Sequence, residues 1–260
     1  MQANGYRKFS ALYGKEMREL SLEIIIVTGL AAVVNLYLFF RLNHTPYIRL
    51  LIVPNLMLLG LAGFLPFLAS FKLINREWKS NTVYMLLSLP VRGASVLGAK
   101  AAALLTQYIA GTMAVGISAA LLSLALAGPE IKAVLQQLYI NPGVNLNQLL
   151  GSGVLFYLLS MAGLLYLVSI SFGSQIAGHL VRSYSGLVTL LVFVALLYIV
   201  QYFGGLLAYQ FSPYFLTFLS NQWTVSTFNK FLLLSTIGLV VASAVIYLGT
   251  VWVYNRRIEL

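Results

Sequence analysis

Six blocks of about twenty apolar residues, parted by short polar stretches, run through this chain of 260 residues. Wound as a helix, a block of that length crosses the roughly 30 Å hydrocarbon core of a bilayer. A water-soluble fold would have to hide all six behind a charged surface. Only 8% of the residues are charged and 60% are hydrophobic, whereas a soluble domain is about a quarter charged. Lipid is the solvent this composition suits. The expected fold class is an all-α membrane protein with six transmembrane helices, spanning Leu22–Phe40, Arg49–Phe71, Ala101–Ala127, Leu149–Phe172, Leu187–Leu207 and Phe231–Val253. The third block is apolar from about Val96, longer than a bilayer needs, so its first turns are expected at the inner interface. The first block is an anchor and not a cleaved signal, because Phe39-Phe40-Arg41-Leu42-Asn43 offers no small-residue cleavage site.

Lysine and arginine set the orientation. With the N-terminus inside, the inner segments hold Arg7, Lys8, Lys15, Arg18, Lys72, Arg76, Lys79, Arg92, Lys100, Arg182, Arg256 and Arg257, while the outer loops hold only Arg41, Arg49, Lys132 and Lys230. That asymmetry places both termini in the cytoplasm. It also accounts for the net charge of +10, which flanks spans and so does not point to nucleic acid.

Before the first span, Tyr6, Phe9, Leu12, Tyr13, Met17 and Leu20 recur in steps of three and four, with Arg7, Lys8, Lys15, Glu16, Arg18 and Glu19 mostly between them. Residues 1–21 therefore read as an amphipathic helix on the inner leaflet, in contact with membrane lipids, and residues 22–260 as the six-span domain. In the third connection, Gly128-Pro129-Glu130 reads as the start of a short outer helix ended by Asn141-Pro142-Gly143. The aromatic stretch Tyr209–Lys230 is expected to lie in the outer interface or to re-enter the membrane.

Little in the chain suits covalent chemistry. Cysteine is absent, and His44 and His179 are far apart, so no metal site is expected. Gly93-Ala94-Ser95-Val96-Leu97-Gly98-Ala99-Lys100-Ala101 falls short of a phosphate loop: its lysine is displaced and no hydroxyl follows it. Gly151-Ser152-Gly153 reads as helix packing and not as a nucleophile. Aspartate is absent and only Glu23 among the glutamates reaches a span, so no midplane carboxylate serves ion coupling. His179 reads as an ordinary solvated residue of the short inner loop. The chain is thus expected not to be an enzyme and to hold no cofactor. Asn35, Asn55 and Gln201 are candidates to line a substrate pathway, and Pro54 and Pro66 would bend the second span.

The longest inner connection carries the most information. A polar turn from Arg76 to Thr82 leads to an apolar one containing Leu86 and Leu87, which Pro90 ends. A short helix held between two spans transmits force, since whatever pushes it moves both. The run from Arg76 to Lys100, Arg-Glu-x-x-x-x-Thr-x-x-x-Leu-Leu-x-x-Pro-Val-x-x-x-x-x-Leu-Gly-x-Lys, resembles the loop between the second and third spans of ABC-2-type permeases. Ser212-Pro213-Tyr214-Phe215 and the plan of an N-terminal elbow helix with six spans resemble that family as well, and Asn81 departs from it where many members carry glycine. The resemblance implies that Arg76, Glu77, Trp78, Lys79, Thr82, Leu86, Leu87, Pro90 and Arg92 form a coupling helix that docks on a cytoplasmic ABC ATPase. It further implies a second permease copy, ATP and magnesium held by the ATPase subunit, and a bacterial plasma membrane. The implied cargo is an amphipathic peptide first, as in exporters of phenol-soluble modulins and bacteriocins, then a lipid or hydrophobic drug. A non-transporting membrane scaffold and an ion-coupled carrier are the alternatives.

Overall fold

The computed structural model describes residues 5–42, 49–79, 93–140, 146–181, 184–210 and 225–258. Its described elements are six helices: α1 (Gly5–Leu42), α2 (Arg49–Lys79), α3 (Gly93–Ile140), α4 (Leu146–His179), α5 (Ser185–Gln210) and α6 (Val225–Ile258). Each is long and apolar enough to cross a membrane. Hydrocarbon offers no partner to a peptide N–H or C=O, so a helix, which satisfies both internally, is the form these blocks must take. By length and composition the chain is a multi-pass membrane protein.

Several helices outrun the bilayer. The 38 residues of α1 and the 48 of α3 give lengths of about 57 Å and about 72 Å. No break separates the N-terminal amphipathic segment from the first span. Ser21, at the expected junction, keeps its hydroxyl within the helix, donating to the Arg18 carbonyl at 2.7 Å. Nor does a new helix start at Gly128-Pro129, since α3 stays helical across that pair. Proline removes one intrahelical hydrogen bond, and where the rest of the ladder persists that loss need not end a helix. Pro54 and Pro66 lie inside α2 in the same way.

The chain divides into two compact units. The first comprises residues Met1–Ala69 and Gly98–Leu146, and therefore takes in α1, α2 as far as Ala69, and most of α3. Along α1 the buried residues fall on one seam: Glu16, Leu20, Val27, Ala31, Asn35, Leu38 and Leu42. That seam faces α3. Lys100 Nζ bonds Glu16 Oε1 at 2.8 Å, Gln107 Nε2 bonds Glu23 Oε2 at 2.8 Å, and Asn35 Nδ2 bonds Ser118 Oγ at 3.0 Å. The partners' numbers rise together, so α1 and α3 run parallel. Tyr13 and Thr106 add a hydroxyl pair at 2.9 Å.

Between these polar rungs the packing is apolar. Val27, Ala31, Leu58, Ala62 and Val115 form one cluster, and Leu38, Leu42, Leu51 and Leu122 another. A side chain at Gly111 would lie 3.4 Å from the Ala62 Cβ and 3.6 Å from Val27 Cγ1. Small residues let three backbones approach there, which is how helices gain dispersion energy where lipid removes the hydrophobic drive.

The ion pair corrects the sequence reading, which put Glu16 on the charged face of an interfacial helix and Lys100 among the topology-setting bases. The two side chains are 3% and 2% exposed. Burying either charge alone is costly, and their mutual attraction offsets that cost only while both remain in place. Glu16→Ala should therefore lower stability by about 3–5 kcal/mol, read as denaturant unfolding in detergent. Exchanging the charges (Glu16→Lys with Lys100→Glu) should recover most of the loss. A single variant as stable as the parent would contradict this account.

Candidate functional site

The second unit comprises residues Ser70–Leu97 and Asn147–Leu260. It therefore contains the end of α2, the start of α3, and the whole of α5 and α6 with nearly all of α4. The described ends of α2 and α3 are the two stems of residues 80–92, the segment expected to couple to a partner. Thr82, Leu86, Leu87, Pro90 and Arg92 lie outside the described residues, as do Ser212–Phe215. The stems are described, and both are fastened.

The α2 stem is held by α4. Ser70 Oγ donates to Ser171 Oγ at 2.8 Å. Gln175 Nε2 lies 3.2 Å from the Ser70 carbonyl, 3.2 Å from the Ser171 carbonyl and 3.0 Å from Ser171 Oγ. Ser174 Oγ donates to the Ser171 carbonyl at 3.0 Å. All four residues are buried. Hydrogen bonds between membrane helices are modest singly, about 0.6 kcal/mol on average. Several converging on one pair of helices fix its register.

Further along α2, Phe71 meets Phe193 of α5 with ring centroids 5.6 Å apart. Trp78 then stacks on His179, the last residue of α4, at 4.5 Å between centroids and 13° between planes. Near-parallel rings at this separation contribute about 0.5–1.5 kcal/mol beyond the area they bury.

The α3 stem is held by α6. Gly93 begins α3 so close to the Tyr254 ring and the Asn255 amide that a Cβ would run into both. Glycine is the residue that fits. One residue on, the Ala94 carbonyl accepts the Tyr247 hydroxyl at 2.8 Å. Glu77, at the end of α2, is close enough to Tyr254 for its charge to act on that phenol. Arg256 lies over the Trp252 ring at 4.6 Å on the same stretch of α6.

α4 is joined closely to both its neighbours. A Cβ at Gly173 would lie 3.0 Å from Thr250 Oγ1 of α6, and one at Gly178 would meet the Thr189 side chain of α5. Just ahead of α5, Tyr184 takes a φ of 61°, uncommon for a bulky residue. Its carbonyl accepts the Val188 N–H at 3.0 Å and so helps to start α5.

Of the residues the sequence singled out, Arg76, Glu77, Trp78 and Lys79 form the last turn of α2. Trp78 meets α4. The pathway candidates fall in different units, Asn35 and Asn55 in the first and Gln201 in the second. Asn35 is 5% exposed and bonded to the Ala31 carbonyl and to Ser118. Asn55 donates to the Leu51 carbonyl at 2.9 Å. Gln201 belongs to the second unit and is exposed. His179, read from sequence as solvated, is instead half-buried against Trp78. Gly93, Tyr247, Tyr254 and Asn255 were not foreseen; the available signal was tyrosine and asparagine bunched at the inner end of the last span. Among the described residues no group of His, Cys, Asp or Glu could hold a metal ion. The arrangement is mechanical: two stems, each bolted to a helix of the same unit.

If the glycine at the α3 stem matters for close approach, Gly93→Ala should lower the unfolding temperature in detergent, with a cost of about 1–3 kcal/mol. Tyr254→Leu in the same background should return part of it. An unchanged unfolding temperature in Gly93→Ala would show that the stem is not held in this way. No protein-family profile, curated protein or solved structure matches the chain.

Proposed function

We propose that this chain is the membrane subunit of an ATP-driven exporter of the ABC-2 type. In this reading Arg76–Arg92 is the cytoplasmic coupling segment, and a separate ATPase subunit grips it. Two ATPases closing on ATP and magnesium would push the segment in each of two permease copies. The observation that supports this most is the double fastening of the stems. Ser70 and Trp78 tie one stem to α4, and Gly93 and Ala94 tie the other to α6. A push on the segment would therefore be delivered to α4 and α6 and would not be lost in a slack loop.

The parallel run of α1 and α3 fits spans that alternate in direction, and the asymmetry of the basic residues is what supports an orientation with the N-terminus inside. Both termini would then be cytoplasmic, with the first turns of α1 at the inner face of a bacterial plasma membrane. The aromatic stretch Tyr209–Lys230 would lie in the outer interface or re-enter the membrane. The substrate would be amphipathic or hydrophobic, a peptide before a lipid or a drug, because the spans offer amides and hydroxyls but no midplane carboxylate.

Glu77 is the residue whose loss discriminates best, being charged, half-buried and at the stem. Glu77→Ala should reduce export by about tenfold or more, as expected when a charge-assisted contact worth about 1.5–3 kcal/mol is lost. The folded protein should persist in membranes, with ATP hydrolysis by the complex no longer stimulated by substrate. Unaltered export together with unaltered stimulation would count against the coupling role.

A further inference from the structure

From Leu51 to Ala69, α2 carries one side chain with a polar nitrogen or oxygen, Asn55. The two apolar clusters of the first unit fix its place. Leu51 joins Leu38, Leu42 and Leu122, and Leu58 joins Val27, Ala31 and Val115. Asn55 falls between Leu51 and Leu58, Asn35 between Ala31 and Leu38, and Ser118 between Val115 and Leu122. Each of the three helices thus sets one polar residue in the same layer, about one turn from either cluster. The amides of that layer are fixed in orientation. Ser118 Oγ gives its proton to the Val115 carbonyl at 3.0 Å, so the Asn35 atom that meets Ser118 is the donor, Nδ2, which also meets the Ala31 carbonyl. Asn55 Nδ2 faces the Leu51 carbonyl at 2.9 Å, where an amide oxygen would be repelled. Both amide oxygens, Asn35 Oδ1 and Asn55 Oδ1, are buried and have no hydrogen-bond partner among the described residues. A buried carbonyl without a donor is costly.

From this we infer that a single internal water binds between α1, α2 and α3, donating one hydrogen to Asn35 Oδ1 and the other to Asn55 Oδ1. Water is neutral and brings two donors, which is what two lone carbonyls lack. A metal cation would also satisfy them, but nothing in the layer balances its charge. α1 beyond Glu23, α2 as far as Arg76 and α3 before Glu130 carry no carboxylate, and an unbalanced ion deep in a membrane is costly. A larger ligand does not reach these atoms, because Asn35 is 5% exposed and both oxygens are covered. The site gives α2 a different attachment from that of its neighbours. Direct bonds lock α1 to α3. α2 is held to them by apolar contact at Leu51, Leu58 and Ala62, and the water is the one polar link open to its side chains there. Such a link is remade without breaking a bond between protein groups, so α2 is the helix of the first unit that shifts at least cost. The inference does not depend on the transport reading.

Two measurements on the full chain test this. The first is solid-state NMR of the isotope-labelled protein in lipid with deuterated tails, its signals assigned through the backbone. Magnetisation started on water should reach the side-chain carbonyls of Asn35 and Asn55, and at the same mixing time should not reach the methyls of Val115, which lies fully buried in the neighbouring apolar cluster. The second is unfolding in detergent. Asn55→Leu leaves the water with one carbonyl and should raise the unfolding constant about tenfold, the scale of one buried carbonyl left unsatisfied. Asn35→Leu should also destabilise, and the double variant should lose clearly less than the two single losses combined. No water transfer to either carbonyl would overturn the inference. Coupled losses without such transfer would mean that the two amides bond each other directly, and stability that rises with sodium or potassium at fixed ionic strength would mean that a cation holds the site; either result overturns it. So would an Asn55→Leu variant more stable than the parent, since deleting a carbonyl that has no partner relieves a cost.

Discussion

A peptide group in hydrocarbon has no water to bond to, and everything else in this structure follows from that constraint. It dictates six helices, because a helix pairs its own N–H and C=O groups. It also withdraws the force that folds soluble proteins, since lipid tails are as apolar as leucine. Helix association must then come from close contact and from polar bonds. Gly111 against Ala62 and Gly173 against Thr250 are contacts of the first kind. The rungs between α1 and α3, and the Ser70–Ser171–Gln175 group, are of the second.

Placing the polar groups in two sets gives each compact unit its own fastening. α2 and α3 each contribute to both units, with the changes falling at Ser70 and Gly98. The residues joining α2 to α3 in sequence are those of the proposed coupling segment. Under the transport reading, a movement there enters each unit along a helix already locked to its neighbours. In the first unit the lock includes the Glu16–Lys100 pair, which lies two turns into α3 from Gly93. A pair that cannot part without stranding a buried charge makes α1 and α3 move together.

The number of helices and their approximate places were legible in the sequence, because blocks of twenty apolar residues have few other uses. Helix ends and joins were less so. Gly128-Pro129 is a sound signal for a helix start in water, yet α3 runs through it, since one missing hydrogen bond does not outweigh a long, otherwise intact ladder. Glu16 was misread because hydropathy registers that a residue is charged, not that Lys100 awaits it 84 residues further on. Trp78 was singled out for its place in the inner loop, while its partner His179 was not. Both pairings depend on which helices become neighbours, and a single sequence does not carry that. Gln201 was read as a candidate to line a substrate pathway, and its exposure on α5 is visible only in the structure.

The central proposal is that a cytosolic ATPase holds the Arg76–Arg92 segment, and a photoreactive side chain at Leu86 tests it most directly. Irradiated in native membranes while export is running, that position should form an adduct with a separate cytosolic subunit, and mass analysis should find a phosphate-binding glycine-rich loop in it. Adducts with lipid or water alone, whatever the position of the probe between 80 and 92, would contradict the account.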